Sequence, residues 1–372
     1  MKKCFLIFLI VFILFAANNV FAGSSAQRAP EDHKKTQAEA YELALVLGIG
    51  SVDDGSFNQG SWEGLLRFAV ERNISHKYYQ SAEENENAYL GAIDLAVSNG
   101  AKVIVTPGYL FETPVFTAQD KYPNVRFILI DSIPNNGDFR WGTPVYRTAN
   151  NTVGVLFAED QAGFLAGYAA VMDGYRKLGF IGGMAASSVV RFGNGFVQGA
   201  EYAAQELRLS PGTVTVNYHY TGDFSASAQA QSLAVSWYTD GVEVIFACGG
   251  AVGSSIIAAA ERTGGKVIGV DIDQSGDSST VITSAIKMLQ TSVYDSIASY
   301  YKGTFPGGET LIFHAANNGI GLPMPTSRFR TFSSADYIDI YRLLANGTIP
   351  RIERVDARKV NVPVSAVRIL EM

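Results

Sequence analysis

Two stretches of this chain are built to one plan. Val103 to Asp131 and Val244 to Asp271 each run strand, turn, helix, strand and terminal aspartate, over nearly the same length. Short apolar runs alternating with segments of helical spacing mean parallel sheets flanked by helices. The alternation begins at Leu43 and continues almost to the end, with a last helix expected from about Ser334 to Ala345. No strong residue-level repeat links the halves, so the architecture alone is duplicated. The simplest outcome is an α/β protein of two similar lobes joined by a hinge. The chain has 372 residues, 47% of them hydrophobic, which is enough for two cores rather than one. The expected boundaries are 43–150 plus 272–320 for the N-terminal lobe and 151–271 plus 321–372 for the C-terminal lobe. Crossings then fall near residues 150, 272 and 320.

The first unit carries the most distinctive loop. An apolar run, Leu43 to Leu47, reads as a buried strand, and it breaks at Gly48 and Gly50. A polar loop with Asp53, Asp54, Ser56, Asn58 and Gln59 follows, and Trp62, Leu65, Leu66, Ala69 and Val70 then recur at helical spacing. That order places the loop at the carboxyl edge of a parallel sheet, where open α/β sheets bind ligands. A dinucleotide fingerprint is excluded, because the third glycine is missing and two carboxylates would repel a pyrophosphate. The loop offers acceptors, an amide and the flat face of Phe57, a set suited to a neutral ligand with hydroxyls and a planar ring. A plain helix N-terminus capped by Ser56 or Asn58 accounts for part of it.

Lys2 and Lys3 precede an apolar run of about 13 residues that ends in small residues at Val20-Phe21-Ala22, which reads as an export leader over residues 1–22. The run is short of the roughly 20 residues that span a bilayer. Residues 23–42 are polar and read as a tether. The chain is acidic, with a formal charge of −6, and has no basic run, so nucleic acid is not an expected partner. Of its two cysteines, Cys4 lies in the leader and Cys248 closes an apolar strand as a small buried hydrophobe, leaving no internal disulfide.

Several motifs recur in one order along most of the chain: D-G-S-F-N-Q at Asp54, K-Y-P-N-V-R-F-I-L-I-D ending at Asp131, G-F-I-G-G-M at Gly179 and R-F-G-N-G-F-V-Q-G at Arg191. Y-T-G-D-F at Tyr220, V-I-F-A-C-G-G at Val244, I-G-V-D-I-D-Q at Ile268 and T-S-A-I-K ending at Lys287 complete them. Together they resemble the basic-membrane-protein family of bacterial solute receptors, the group of the purine nucleoside receptor lipoproteins. The resemblance implies a type I periplasmic-binding-protein fold with two Rossmann-like lobes closing on a ligand. It also implies a monomeric extracytoplasmic receptor without a cofactor, periplasmic or on the outer membrane face, serving the inner-membrane permease of an ABC importer. By matching position, Phe57 and Phe192 would sandwich a planar base and Asp131 would accept from its edge. Asp54, Asn58, Asp271 and the Gly249-Gly250 turn would hold sugar hydroxyls, and Lys287 would reach the ligand from the hinge side. Two departures stand out: Gly55 replaces the family's usual lysine, and the leader lacks the following lipid-attachment cysteine. Gly55 makes room for a larger ring system, so riboflavin, the ligand of another branch, stands beside a nucleoside as the alternative.

Blander readings compete for each residue. Asp131 and Asp271 could cap the turns that follow them, Phe192 could be core, Lys287 could be a solvated lysine opening a helix, and Tyr109 could pack on its own lobe. An enzyme is the rival of another class. Asp54 with Asp131 or Asp271 could act as paired acids of a nucleoside hydrolase. That chemistry needs a group to activate water, and the scattered histidines His33, His76, His219 and His314 show no ligand spacing. No G-x-S-x-G elbow is present either. A non-catalytic receptor is the expectation.

Overall fold

The computed structural model describes residues 40–48, 50–140, 142–349, 360 and 362–371. The expected leader, 1–22, and the expected tether up to residue 39 lie outside them. The tether's last residues are built into the fold, since the Tyr41 amide donates to Asn99 O at 2.9 Å and Tyr301 Oη donates to Glu42 Oε1 at 2.7 Å.

Apolar runs too short for a helix become buried strands, with helices between them. The first set is β1 (Leu43–Leu47), α1 (Phe57–Arg72), β2 (His76–Gln80), α2 (Glu86–Ser98), β3 (Val103–Pro107), α3 (Glu112–Lys121), β4 (Arg126–Ile130) and β5 (Thr152–Phe157). The second comprises α4 (Glu159–Met172), β6 (Lys177–Gly182), α5 (Ser187–Glu206), β7 (Val214–Tyr220), α6 (Ala228–Thr239), β8 (Val244–Cys248), α7 (Val252–Thr263), β9 (Lys266–Asp271) and β10 (Val281–Lys287). The chain ends with α8 (Leu289–Tyr301), β11 (Thr310–Phe313), β12 (Ile320–Gly321), α9 (Ser334–Ala345) and β13 (Val367–Glu371).

Among the described residues these strands form two sheets, in the orders β11-β5-β4-β3-β1-β2 and β12-β10-β9-β8-β6-β7-β13. Every pairing is parallel except that of β12 with β10. Strands β1, β3 and β8 are buried throughout, as sheets covered on both faces require. This is the type I periplasmic-binding-protein fold.

Two strands fall on the other side of the expected lobe boundaries. Thr152–Phe157, assigned to the C-terminal lobe, pairs with β4 in the first sheet. Val281–Lys287, assigned to the N-terminal lobe, pairs with β9 in the second. The crossings therefore lie after Phe157 and after Lys287. In both places the chain lays down one more buried parallel strand before it leaves the sheet.

Candidate functional site

The carboxyl edges of the two sheets converge on one cleft of about 1180 Å³. Its lining includes Asp54, Phe57, Asn58, Asp131, Phe192, Gly250, Asp271 and Lys287, all eight candidates read from the sequence.

Asp131 follows β4 and Asp271 closes β9, and both adopt the left-handed conformation, with φ of 63° and 68°. Aspartate tolerates that region better than most residues, and it turns each side chain off its strand end. The two carboxylates meet at Lys287, the last residue of β10. Lys287 Nζ lies 2.6 Å from Asp131 Oδ2 and 3.1 Å from Asp271 Oδ1. Lys287 is therefore neither a solvated lysine nor the start of a helix, since α8 begins two residues later. Its side chain is only 2% exposed. Burial pulls the ammonium's pKa down, but Asp131, Asp271 and Glu159 outweigh it and raise it above the ordinary lysine range. The ammonium also lies 4.6 Å from the ring centre of Phe57, 5.4 Å from Phe192 and 5.6 Å from Phe157.

Asp271 is fully engaged, because Ser56 Oγ donates to its other oxygen at 2.6 Å. Asp131 is not. Its Oδ1 is buried without a hydrogen-bond partner, an acceptor left over at the cleft wall. Burial raises this carboxyl above the usual range, with Lys287 pulling the other way.

Asp54 does the capping that the sequence suggested for Ser56 or Asn58. It accepts the amides of Ser56 at 2.9 Å and of Asn58 and Gln59 at 3.1 Å, closing the open N-terminus of α1. Burial nevertheless pushes it up to about 6, against the pull of those amides. The Asn58 side chain donates to Ser51 O at 3.2 Å and so braces the loop. Gly250, with φ of 53°, turns the chain opposite Asp54, whose Oδ2 lies 3.9 Å from where a Cβ would stand.

The two phenylalanines differ. Phe57 is half-buried at the start of α1, whereas Phe192 is 1% exposed, with Phe246 packed edge-on at 5.9 Å. Phe192 thus belongs to the core as well as to the lining, and offers less open face than an equal half of a sandwich would.

Other lining residues were not singled out from the sequence. Gln274 Nε2 donates to Gly55 O at 2.8 Å, and Arg191 pairs with Glu159 at 2.7 Å, both nearly buried. Each lies inside a motif noted above, and a polar residue without an assigned part was the available signal. Tyr109 lines the cleft instead of packing only on its own side, and its hydroxyl reaches Met184 Sδ at 3.8 Å. Around Gly55 a Cβ would meet nothing within 4 Å, consistent with room beside the loop.

Residues 42–356 match the family model Bmp, described as ABC transporter substrate-binding protein PnrA-like. The chain belongs to this family. Among its Bmp relatives, the ABC transporter nucleoside-binding protein BmpA of Lactococcus lactis subsp. cremoris is 29% identical, over 86% of this chain and 92% of the relative. Basic membrane protein B of Borreliella burgdorferi is 30% identical, over 75% of this chain and 80% of the relative. In three dimensions the chain is similar to an ABC transporter solute-binding protein from Aeropyrum pernix K1. The TM-score is 0.69 at 21% identity, over 83% of this chain and 91% of that one. Bmp proteins are substrate-binding components of ABC importers. They act outside the cytoplasmic membrane, hold a small molecule for a membrane permease, and are not enzymes. No helix among the described residues is long and apolar enough to cross a membrane.

Proposed function

We propose that this Bmp protein captures a purine nucleoside in the cleft and presents it, unaltered, to its permease. The observation that carries this reading is the spare buried oxygen of Asp131, a few ångströms from the Lys287 ammonium that also faces the Phe57 ring. A carboxylate accepting from a base edge or hydroxyl makes a charge-assisted bond and rejects analogues that lack the donor. A half-buried phenylalanine adds stacking. The cations in the lining, Lys287 and Arg191, are already paired with carboxylates, so the wall favours a neutral donor-rich ligand over a phosphate. The name of the Lactococcus relative, nucleoside-binding, supports the same class. Residues 1–22 would act as the export leader.

One observation favours a bulkier alternative of the same kind, riboflavin, which joins a flat heterocycle to a polyol. The cleft is larger than the roughly 300–1,000 Å³ of pockets that hold drug-sized ligands.

Calorimetric titration of the purified protein with inosine, adenosine, guanosine and riboflavin tests the reading. One of these is expected to bind, and Phe57→Ala and Asp131→Asn should each weaken it by at least ~1 kcal/mol. Unchanged affinity in both variants would refute the site. Release of free base on prolonged incubation would refute the receptor and restore the hydrolase.

A further inference from the structure

Three aromatic side chains of the first sheet's loops line the cleft yet remain open: Tyr109 at 38% exposure, Tyr146 at 54% and Phe139 at 61%. Phe139 and Tyr146 stand in the long connection between β4 and β5, and neither has a ring partner among the described residues. Large exposed rings are costly to leave in water, and together they suggest a place to be covered.

The segment that carries them is braced. Asn136 and Val145 bond both ways, the Asn136 amide donating to Val145 O at 3.1 Å and the Val145 amide donating to Asn136 Oδ1 at 2.9 Å. Asn135 bridges to Tyr146, and its Nδ2 donates to Glu112 Oε2 at 2.6 Å. Arg147 closes the far end, its amide donating to Pro134 O at 3.0 Å and its guanidinium pairing with Asp120 at 2.6 Å. The two ends of the loop are thus pinned in advance, which lowers the cost of ordering its backbone on binding.

We propose that the outer part of the cleft is a second ring-binding subsite, where Phe139 and Tyr146 receive a further planar ring carried by the ligand beyond the group at Phe57. This rests on the ligand reading given above. Three observations join to support it. The two rings line the same cavity as Asp131 and Lys287 rather than a separate surface. Exposure rises from the 2% of the Lys287 side chain to the 61% of Phe139, so the aromatic wall is the mouth of that cavity. Helix α7 adds Ser254, Ile257, Ala258 and Glu261 to the same lining, a mixed apolar and polar wall, and the volume leaves space beyond one base and one sugar. The occupant is therefore an extended small molecule, of fused or linked rings bearing a polyol.

The experiment uses two ligand pairs, each sharing its polyol and differing by one ring: adenosine with N6-benzyladenosine, and 6,7-dimethyl-8-ribityllumazine with riboflavin. Calorimetry on the full chain is expected to show the larger member of a binding pair held about fivefold tighter or more. In Phe139→Ala/Tyr146→Ala that ratio should fall to within about twofold. Both positions are exposed, so the double variant should melt with the parent, and the smaller ligand serves as the control for the inner site. Equal affinities within the binding pair, or a ratio untouched by the double variant, would overturn the subsite alone and leave the rings to a protein contact. Binding of none of the four would overturn the subsite, and if inosine and guanosine also fail to bind, the ligand reading falls with it.

Discussion

Lys287 stands between two strand-end aspartates, and its loss would strand both carboxylates in the interior. Removing one partner of a buried pair costs roughly 3–5 kcal/mol, because the remaining charge is uncompensated. Lys287→Met is expected to lower unfolding stability by about that much in urea, and adding Asp131→Asn should restore part of it. A single variant as stable as the parent would mean that these charges are solvated after all. Asp54 gives a pH prediction. Its carboxyl rises from the ordinary 3.8 to about 6, so folding favours its protonated form. Its contribution to stability is fully present below pH 3.8 and is lost as the pH climbs through about 6. Ligand hydroxyls need the ionised acceptor, so binding runs the other way. Between pH 7.5 and pH 5.5, calorimetry should show affinity falling while the ligand-free protein gains stability; a flat affinity profile would remove Asp54 from the ligand's contacts. Asp131 and Asp271 could be found by reading alone because one plan places an aspartate at the same point twice. Ser56 and Gln274 could not. Their partners, Asp271 and Gly55, lie 215 and 219 residues away, and no local pattern encodes such a contact.

At the scale of elements, the motif R-F-G-N-G-F-V-Q-G proves to be about helix packing as much as about a ligand. Helices α4 and α5 touch backbone to backbone. A methyl group at Gly163 would run into Phe192 O, at Gly167 into Phe196 O, at Gly195 into Asp160 O and at Gly199 into Phe164 O. Two glycines four residues apart on each helix therefore interlock, and this contact sets where α5 holds Arg191 and Phe192. Overpacking ordinarily costs about 1–3 kcal/mol, and a main-chain neighbour cannot swing aside. Gly163→Ala and Gly199→Ala should each destabilise the protein by at least ~2 kcal/mol in urea unfolding. Gly55→Ala, which meets no atom, should show only the smaller penalty of its φ of 68°. Comparable losses at all three would deny the interlock. The same element scale explains what reading missed in the fold. Strand β5 fell on the wrong side of the boundary because α4 begins two positions after it ends, and nothing in so short a junction marks a crossing between sheets. The assignment of β10 went astray because a hydrophobic run marks a strand without saying which sheet it joins.

At the scale of the molecule, three polar contacts cross the cleft from one side to the other. Ser56 Oγ to Asp271 at 2.6 Å, Gln274 Nε2 to Gly55 O at 2.8 Å and Lys287 Nζ to Asp131 at 2.6 Å each join an element of one sheet to an element of the other. Receptors of this fold class respond to a ligand by a shift between open and closed forms, and the shift can be no larger than the ligand's preference for the closed one. Contacts that already favour closure raise the fraction of molecules competent to bind, and the apparent dissociation constant falls in proportion. Ser56 and Gln274 are the places to weaken that bias, since the Gln274 bond to Gly55 O contributes about 1 kcal/mol and the Ser56 bond to the Asp271 carboxylate about 1.5–3 kcal/mol. In Ser56→Ala/Gln274→Ala the ligand-free protein should show a larger radius of gyration by small-angle scattering. Saturating ligand should return it to the parent value, and apparent affinity should fall about tenfold or more. If the ligand-free radius is unchanged and affinity drops all the same, these side chains act as direct contacts rather than as a latch. If neither quantity moves, the two halves are held closed by the rest of the interface, and the hinge lies outside these bonds.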